Sequence, residues 1–375
     1  MRVLFAGGGT GGHVYPAIAM IDELRRRSPS VEVAYVGTRR GLEARILPKW
    51  TDVRFFPIRV RGIPRGRPLG AVRALAELAV ALVESIVVLV RVRPHVVIGV
   101  GGYSSFPPLL LAAWLGRLFP IRTLVHEQNV VGGLANRLLA RFVDVVMVSF
   151  RESAASFPRA RKLVVTGNPI REEMLHVTRS DEAYRRFGLD PERRTILVFG
   201  GSTGSIELTE AIRRDATRIA EDRKLQILVV TGDDTRTRAL ADEMRAAGAA
   251  NVVVRTYVEE MGHAFAVADL VVCRSGATSL AEITACGKAS LLVPWRGAAD
   301  DHQRKNAGRL RADGACAVAD DELVARGGLV RLMQEIAGDD ARLDRLARNA
   351  RRSGRTGARA AIFAEIVGRM RGAHA

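Results

Sequence analysis

Short apolar runs that end in glycine-rich loops recur along this chain, and a helical pattern follows each of them. The clearest of these loops are Gly7 to His13, Gly99 to Ser105 and Gly200 to Ser205. An apolar run, a tight loop and an amphipathic helix in succession are typical of the repeating unit of a parallel sheet. Because this unit occurs in both halves, we predict an α/β protein with two Rossmann-like, doubly wound parallel-sheet domains that face a cleft.

The length of 375 residues also favours two domains over one. The predicted strands lie at 2–6, 31–36, 96–99, 122–126, 144–149 and 163–166, in a first sheet of about seven, and at 195–199, 225–231, 251–255, 270–273 and 291–293 in a second. The segment Gly167 to Arg171 separates the two sets and marks the boundary. We expect domains over 1–166 and 167–350. The arginine-rich tail, 342–370, has a helical pattern, and 351–375 is expected to return to the first domain.

The first glycine loop has the character of a phosphate-binding loop. Gly7, Gly9 and Gly12 satisfy the dinucleotide pattern G-x-G-x-x-G, which also requires an acidic residue at the end of the second strand. That strand ends in Gly37-Thr38-Arg39-Arg40, which offers no carboxylate to an NAD ribose but is compatible with a 2′-phosphate. The loop by itself therefore leaves an NADP-dependent oxidoreductase open.

His13 stands at the edge of this loop. An imidazole titrates near neutral pH and can take a proton from an attacking hydroxyl, so a general base is one interpretation. A histidine at the start of a helix is the other, and the loop does not decide between them.

A second anion site is indicated at Ser275 to Glu282, where an apolar run gives way to a helical pattern. The N–H groups of the first helical turn, with the hydroxyls of Ser275, Thr278 and Ser279, favour a phosphate. Glu282 could accept two hydrogen bonds from a ribose diol. The same residues also fit a capped helix with an ordinary first-turn acid.

Positive charge is concentrated in the first half of the chain. The net charge is +17; residues 1–167 contain 24 basic and 10 acidic side chains, which is +14 and leaves +3 for the rest. Such a half is attracted to nucleic acid or to an anionic membrane surface.

The stretch from Leu69 to Val92 is apolar and as long as a membrane-spanning helix. It is interrupted by Arg73, Glu77, Glu84 and Arg91, which excludes a spanning segment. A helix that packs on the sheet and a surface that dips into lipid headgroups beside basic residues are both compatible with it.

The cysteines Cys273, Cys286 and Cys316 are scattered and form no C-x-x-C motif. We expect free thiols in a reducing cytosol, with neither a zinc site nor a disulfide framework. The apolar run at the N-terminus is too short for a signal peptide, so we expect the chain to stay in the cytosol.

Six motifs occur in a fixed order: Gly8-Gly9-Thr10-Gly11-Gly12-His13, Gly101-Gly102-Tyr103, His126-Glu127-Gln128-Asn129, Gly167-Asn168-Pro169-Ile170-Arg171, Gly200-Gly201-Ser202 and Cys273-Arg274-Ser275-Gly276-Ala277. With this combination, nearly the whole chain resembles the MurG family of bacterial peptidoglycan glycosyltransferases. The resemblance implies a two-domain GT-B enzyme that transfers N-acetylglucosamine from UDP-N-acetylglucosamine to lipid I, the undecaprenyl-diphosphate muramyl-pentapeptide, with inversion. It also implies that no metal or cofactor is needed, and that the protein binds peripherally to the cytoplasmic face of the bacterial membrane.

The resemblance also implies roles for individual residues. The residues implied to bind the donor UDP-N-acetylglucosamine are Thr10, Gly11, Gly12, Asn129, Arg171, Ser202, Val258 and Gln303. Its diphosphate and ribose are implied to bind to Ala277, Thr278, Ser279, Leu280, Ala281 and Glu282. The acceptor diphosphate falls to Gly9, Gly101, Gly102 and Tyr103, and His13 is nearest to the position of a base.

Two segments depart from the family pattern. Thr203-Gly204-Ser205 stands where Gln-Gly-Ala is usual, which removes an amide from the donor side, and Val130 to Gly133 lacks a proline that is common there. The first departure bears on donor affinity.

Three rival functions differ from this one in what they explain. A related GT-B enzyme that glycosylates another lipid, such as diacylglycerol, would share the donor half and differ in the first-domain loops. An oxidoreductase leaves the second phosphate-type segment, at Ser275, unexplained. A nucleic-acid-binding protein would account for the charge but not for two glycine-loop domains, and the chain lacks interleaved aromatic residues for base stacking; we expect no nucleic-acid partner.

Overall fold

The computed structural model describes residues 1–49, 53–62, 68–201 and 204–368. It divides into two compact units. The first unit comprises Met1–Arg171 and Gly357–Ala375, and the second comprises Glu172–Thr356. The boundaries drawn from the sequence, after residues 166 and 350, lie a few residues earlier in the chain.

The strands and helices follow one another in a regular alternation. The strands are β1 (Arg2–Ala6), β2 (Glu32–Thr38), β3 (Val53–Ile58), β4 (Val96–Gly99), β5 (Arg122–Glu127), β6 (Val145–Val148), β7 (Leu163–Val165), β8 (Arg194–Phe199), β9 (Leu225–Val230), β10 (Val252–Arg255), β11 (Leu270–Cys273), β12 (Ala289–Leu292) and β13 (Ala317–Val318). The helices are α1 (Gly11–Arg27), α2 (Leu42–Ile46), α3 (Pro68–Val92), α4 (Phe106–Leu115), α5 (Leu134–Leu139), α6 (Asp181–Phe187), α7 (Ile206–Arg214), α8 (Ala216–Glu221), α9 (Asp234–Ala246), α10 (Met261–Val267), α11 (Ala277–Cys286), α12 (His302–Ala312), α13 (Asp321–Ala325), α14 (Leu329–Ala337), α15 (Asp340–Ser353) and α16 (Ala358–Val367).

Each unit is built on one parallel sheet. Within the described residues, the first sheet has the order β3-β2-β1-β4-β5-β6-β7 and the second the order β10-β9-β8-β11-β12-β13. All the neighbouring pairs are parallel. The chain order reverses between β1 and β4 and between β8 and β11, and doubly wound sheets bind ligands beyond the carboxyl ends of the strands at such points. The predicted pair of Rossmann-like domains is confirmed.

Strands β3 and β13 are not among those predicted from the sequence. β3 contains Pro57, which has no N–H to donate to a neighbouring strand. It lies at the edge of its sheet and pairs only with β2, where a proline is tolerated. β13 is two residues long, too short for an apolar run to reveal it.

The core of the first unit lies on both faces of its sheet. All four residues Val3, Leu4, Phe5 and Ala6 of β1 are fully buried. Val3 and Phe5 pack in the layer that contains residues of α1 and α16, whereas Leu4 and Ala6 pack in the layer with α3 and α4. Because both faces of the sheet are covered, the sequence of β1 is a continuous apolar run and does not alternate between apolar and polar residues.

The cysteines are free thiols. Cys273 and Cys316 are buried and Cys286 is partly buried. Burial raises the pKa of Cys286 and of Cys316 to about 12, so both thiols stay protonated and unreactive at neutral pH.

The arginine-rich tail forms two helices instead of the single one predicted. α15 packs against α11 and β12 in the second unit, and α16 packs against α1 in the first. Gly354 and Gly357 flank the break between them. Met370, at the end of the predicted helix, lies outside the described residues.

Helix α16 is held to the first unit by apolar and ionic contacts. Ile362 and Ile366 are buried in the layer that contains β1. The Arg359 guanidinium lies 3.3 Å from the buried Glu23 carboxylate. Burial raises the pKa of Glu23, but hydrogen bonds from Arg26 and Arg27 outweigh that effect and hold it below its usual range, with a smaller contribution from the charge of Arg359.

We expect Ile362→Ala to lower the free energy of unfolding of the first unit by about 2–5 kcal/mol, because it removes a buried side chain and leaves a cavity. Val367→Ala, at the exposed end of the same helix, is the matched control and should change it by less than about 0.5 kcal/mol. Urea denaturation, followed through the exchange of β1 amides, measures both. Equal effects of the two substitutions would contradict the packing of α16.

Candidate active site

Two glycine loops lie side by side at the switch point of the first unit. The amide of Gly8, after β1, donates to the carbonyl of Gly101, after β4, over 3.2 Å. A Cβ atom on Gly102 would lie 2.5 Å from the carbonyl oxygen of Gly8. Gly8, Gly101 and Gly102 have φ values of 147°, 95° and 81°. The loops therefore meet backbone to backbone, which only glycine permits.

The helix α1 follows the first loop directly. Thr10 is its N-cap residue but makes no side-chain capping hydrogen bond, and the first turn contains no acidic residue. Gly9 and Thr10 are exposed, with Gly11 and Gly12 in the turn behind them. The positive end of the helix dipole thus meets no carboxylate from its own first turn, an arrangement that favours an anionic ligand.

His13 lies over the second glycine loop. Its Nδ1 is 3.1 Å from the carbonyl oxygen of Gly8 and 3.4 Å from the hydroxyl of Thr10. A Cβ atom on Gly101 would lie 2.9 Å from its Nε2. A carbonyl only accepts hydrogen bonds, so the nearer contact places the hydrogen on Nδ1 and leaves Nε2 as the atom that can take up a proton. Tyr103, in the same loop, is about half exposed.

Glu127, after β5, holds the loop that contains Asn129. Its Oε1 accepts from the backbone and side-chain nitrogens of Asn129 over 3.0 and 3.2 Å. Its Oε2 accepts from the amide of Gly133 and from the side chain of Asn136, both over 2.9 Å. Glu127 is buried, so its role within this structure is to fix the position of Asn129.

His126 is a structural residue. It is fully buried, and its Nε2 donates to the carbonyl of Gly167 over 3.0 Å. Burial lowers the pKa of His126 to about 4, so the ring is neutral near pH 7. Its Nδ1 can then accept from Gln128, whose side-chain nitrogen also donates to the carbonyl of Val100 over 2.9 Å. The pair joins β5 to the second glycine loop.

Arg171, at the end of the first unit, lies over an aromatic ring of α1. Its guanidinium carbon is 5.1 Å from the centre of the Tyr15 ring, within the range of a cation–π interaction. Tyr15 is two residues beyond His13, so this contact brings the positive charge of Arg171 to the N-terminal part of α1.

In the second unit, Arg274 follows β11 and links its end to α7 and to the end of β12. Its guanidinium lies 2.7 Å from the Glu207 carboxylate on α7 and donates to the carbonyl of Val293 over 3.1 Å. Ser205 caps α7 by accepting from the amide of Leu208 over 3.3 Å. The serine that departs from the family pattern is therefore a helix cap. Ser202 and Thr203 lie outside the described residues.

The expected hydroxyl donor Ser275 makes its hydrogen bond within the protein. It is fully buried, and its hydroxyl donates to the backbone carbonyl of Gln303 over 2.8 Å. The side-chain Oε1 of Gln303 accepts from the amide of Trp295 over 3.0 Å. Ser275 thus ties α12 to the loop after β11, and the prediction that it supplies a hydroxyl to a phosphate is wrong.

The helix α11 begins at Ala277, with Gly276 as an N-cap that offers no side chain. Its polar residues Thr278 and Glu282 are each less than a tenth exposed. Glu282 is in the second turn, since the first turn contains no acidic residue. The interpretation of Glu282 as a first-turn acid is therefore excluded.

Other predicted donor residues of the second unit differ in exposure. The side chains of Ala277, Leu280 and Val258 are buried, so contacts with a ligand would come from their backbones. Ser279 and Ala281 are partly exposed.

The sequence analysis missed Glu43, which lies beneath the first glycine loop. Its Oε2 accepts from the amide of Gly9 over 2.9 Å, and it is fully buried. It lies only three residues beyond the segment Gly37 to Arg40, where the dinucleotide pattern requires an acid as a ribose ligand. Its burial excludes that role.

No cluster of metal-ligating side chains occurs in the part of the chain that the structure describes.

An exposed apolar face distinguishes the first unit. Leu75, Val83 and Val90 share one side of α3, and Trp114, Leu118 and Phe119 lie at the end of α4; all are more than half exposed. α3 packs against α4 through its other side. Among the described helices, none is long and apolar enough to span a membrane.

Both units match models of known domains. Residues 3–148 match the glycosyltransferase family 28 N-terminal domain, and residues 195–362 match the glycosyltransferase family 28 C-terminal domain.

Similar proteins extend over nearly the whole chain. A protein of Chlorobaculum parvum named UDP-N-acetylglucosamine--N-acetylmuramyl-(pentapeptide) pyrophosphoryl-undecaprenol N-acetylglucosamine transferase is 38% identical over 372 residues, 98% of this chain and 99% of that protein. A protein of the same name from Desulfitobacterium hafniense is 38% identical over 355 residues, 94% of each. The crystal structure of Acinetobacter baumannii MurG has a TM-score of 0.73 and 27% identity, with 97% of this chain and 99% of that one covered.

Proposed function

The chain belongs to glycosyltransferase family 28, and from this premise we propose that it transfers N-acetylglucosamine from UDP-N-acetylglucosamine to lipid I, with inversion at the anomeric carbon, to give lipid II for peptidoglycan synthesis. The observation that carries the proposal is the near-full-length identity to two transferases of that name. The MurG resemblance found in the sequence is thereby confirmed.

The donor is assigned to groups at the carboxyl ends of β8, β11 and β12, together with Thr10, Gly11, Gly12, Asn129 and Arg171 of the first unit. The N-terminal turn of α11 supports a diphosphate site because no acidic residue of that turn opposes an anion. Glu282 is assigned to the ribose, Val258 to the base through its backbone, and Gln303 to the sugar hydroxyls.

The departing UDP gains negative charge as its bond to the sugar breaks. We assign the stabilisation of that charge to the helix N-terminus, the hydroxyls of Thr278 and Ser279, and the guanidinium of Arg171, without a metal ion. The arrangement of Arg171 over Tyr15 supports this role, because it fixes the cation in place.

The acceptor diphosphate is assigned to Gly9, Gly101, Gly102 and Tyr103, and the base to His13. Nε2 of His13 takes the proton of the acceptor hydroxyl as its oxygen attacks the anomeric carbon and UDP leaves. The Nδ1 contact with the Gly8 carbonyl supports this assignment, since it leaves Nε2 as the proton acceptor.

The apolar face of α3 and α4 is proposed to bind the cytoplasmic face of the cell membrane peripherally. Apolar side chains that enter the headgroup region and a basic unit that attracts anionic lipids act together in such binding. The exposure of the apolar face and the +14 charge of residues 1–167 support it.

The first test is the release of UDP from UDP-N-acetylglucosamine, with and without a short-chain lipid I analogue, in buffer containing EDTA. We expect release only with the acceptor and no effect of EDTA.

In the same assay, His13→Ala should lower turnover at least tenfold, as expected for the loss of a general base, with little change in UDP affinity.

Release of UDP with diacylglycerol but not with the lipid I analogue would show that the acceptor is diacylglycerol. Loss of UDP release in EDTA would contradict the metal-independent mechanism. A wild-type rate in His13→Ala would end its role as base.

Glu282→Ala should weaken UDP binding by about 1.5–3 kcal/mol, because it removes a charged hydrogen-bond acceptor from the ribose. Isothermal titration calorimetry measures this. Glu335→Ala, which removes an exposed carboxylate on α14, is the matched control and should leave the affinity unchanged. Equal affinities of all three proteins would remove Glu282 from the donor site.

Binding to vesicles of anionic and zwitterionic phospholipid should fall as salt rises from about 0.1 M to about 1 M, since the Debye length shrinks from about 10 Å to about 3 Å. Val90→Asp should weaken binding roughly tenfold because it places a charge on the apolar face. Ile206→Asp, at an equally exposed position in the second unit, is the control. Equal loss in both variants would contradict the assigned face.

A further inference from the structure

A buried carboxylate supports the first glycine loop from below. Glu43 in α2 is fully buried. Its Oε1 accepts from the amide and the hydroxyl of Thr38 over 2.7 and 2.8 Å, and its Oε2 accepts from the amide of Gly9 over 2.9 Å. Three donors thus converge on one carboxylate, which is the condition for holding a charge inside a protein.

Three glycines leave the space that the Glu43 side chain occupies. Cβ atoms on Gly8, Gly37 and Gly41 would lie 2.2, 2.4 and 2.3 Å from atoms of the Glu43 side chain. Three segments of the first unit therefore approach Glu43 at positions where any side chain would displace it. The site is built around the carboxylate.

The peptide group between Gly8 and Gly9 links Glu43 to His13. Its N–H donates to the carboxylate of Glu43, and its carbonyl oxygen lies 3.1 Å from Nδ1 of His13. A peptide group is planar and rigid, so fixing its N–H also fixes its carbonyl. Hydrogen bonds in such a chain polarise one another, and a carboxylate at one end makes the carbonyl at the other a better acceptor.

We propose that Glu43 is a positioning residue for the transfer reaction, which holds His13 in the Nδ1–H tautomer and in a fixed orientation through the Gly8–Gly9 peptide. The proposal rests on the proposed function of His13 as the base. Glu43 acts through this peptide and does not touch a substrate.

The arrangement has a consequence for the proton transfer. When Nε2 takes the proton of the acceptor hydroxyl, the ring becomes an imidazolium and its Nδ1–H becomes a stronger donor to the Gly8 carbonyl. The negative charge of Glu43 then stabilises the positive charge of the imidazolium across one peptide group. A carboxylate that contacts a histidine directly orients and stabilises it in the same way. Here the intervening peptide lets the carboxylate remain buried.

Tyr35 is a titratable group that faces Glu43. Burial, and then the charge of Glu43, raise the pKa of Tyr35 well above its usual range. The phenol therefore stays neutral and does not compete for the role of Glu43.

The test is Glu43→Gln in the full chain, which keeps the shape of the side chain and removes its charge. We expect kcat to fall about tenfold, a part of what a general base supplies, while KM for UDP-N-acetylglucosamine stays unchanged. The ¹⁵N shifts of the ring, assigned by the signal that His13→Ala removes from among the seven histidines, should move from the Nδ1–H tautomer toward Nε2–H. Glu32→Gln, an exposed carboxylate on β2, is the control and should change neither quantity.

A double-mutant cycle separates positioning from general structural support. In the His13→Ala background, Glu43→Gln should lower the residual kcat by less than twofold. A tenfold loss in that background would overturn the proposal, because it would show that Glu43 acts on something other than His13. A wild-type kcat and tautomer in Glu43→Gln would overturn it as well.

If Glu43→Gln does not fold, the tautomer of His13 in the wild-type protein tests the proposal. An Nδ1–H tautomer of His13 in the folded wild-type chain supports the proposal, and an Nε2–H tautomer overturns it. This readout needs no substrate. Absence of UDP release in the wild-type assay would count against the proposed function alone.

Discussion

The two glycine loops of the first unit can meet only through their backbones, and the arrangement around His13 depends on that contact. The amide of Gly8 is held by Gly101, the amide of Gly9 is held by Glu43, and the carbonyl between them meets the imidazole. A side chain at Gly7 or at Gly102 would collide with the backbone of the other loop. The close approach therefore explains why glycine occurs at successive positions that local helix or strand propensity would disfavour.

The second unit uses polar side chains in a similar way to hold its loops. Arg274 joins α7 to the end of β12, and Ser275 joins the loop after β11 to α12. Both make these contacts within the protein, although both belong to a motif shared with the family. Glu127 does the same for Asn129 in the first unit. Some motif residues thus support a loop instead of facing a ligand, and their hydrogen-bond partners within the protein identify them.

The first unit has both a high positive charge and an exposed apolar face. Neither feature belongs to the proposed transfer site. A helix confined to the core would hide its apolar side chains, yet Val83 and Val90 of α3 are exposed. Glu77 pairs with Arg61 and Glu84 with Arg59, both beside this helix, and Glu77 also pairs with Arg73 on the helix itself. One side of α3 therefore packs in the core, and the other exposes apolar side chains.

The sequence by itself determined the fold class, the family and most strands, because buried parallel strands are continuous apolar runs and glycine loops mark their ends. It did not reveal β3, where Pro57 interrupts the run, or the break between α15 and α16. Only the tertiary structure decided that Ser275 braces α12 and that Glu43 supports Gly9. Ser275 and its partner Gln303 are 28 residues apart in the chain, and Glu43 and Gly9 are 34 residues apart. They meet because of the order of the strands in each sheet, which no local pattern of residues encodes.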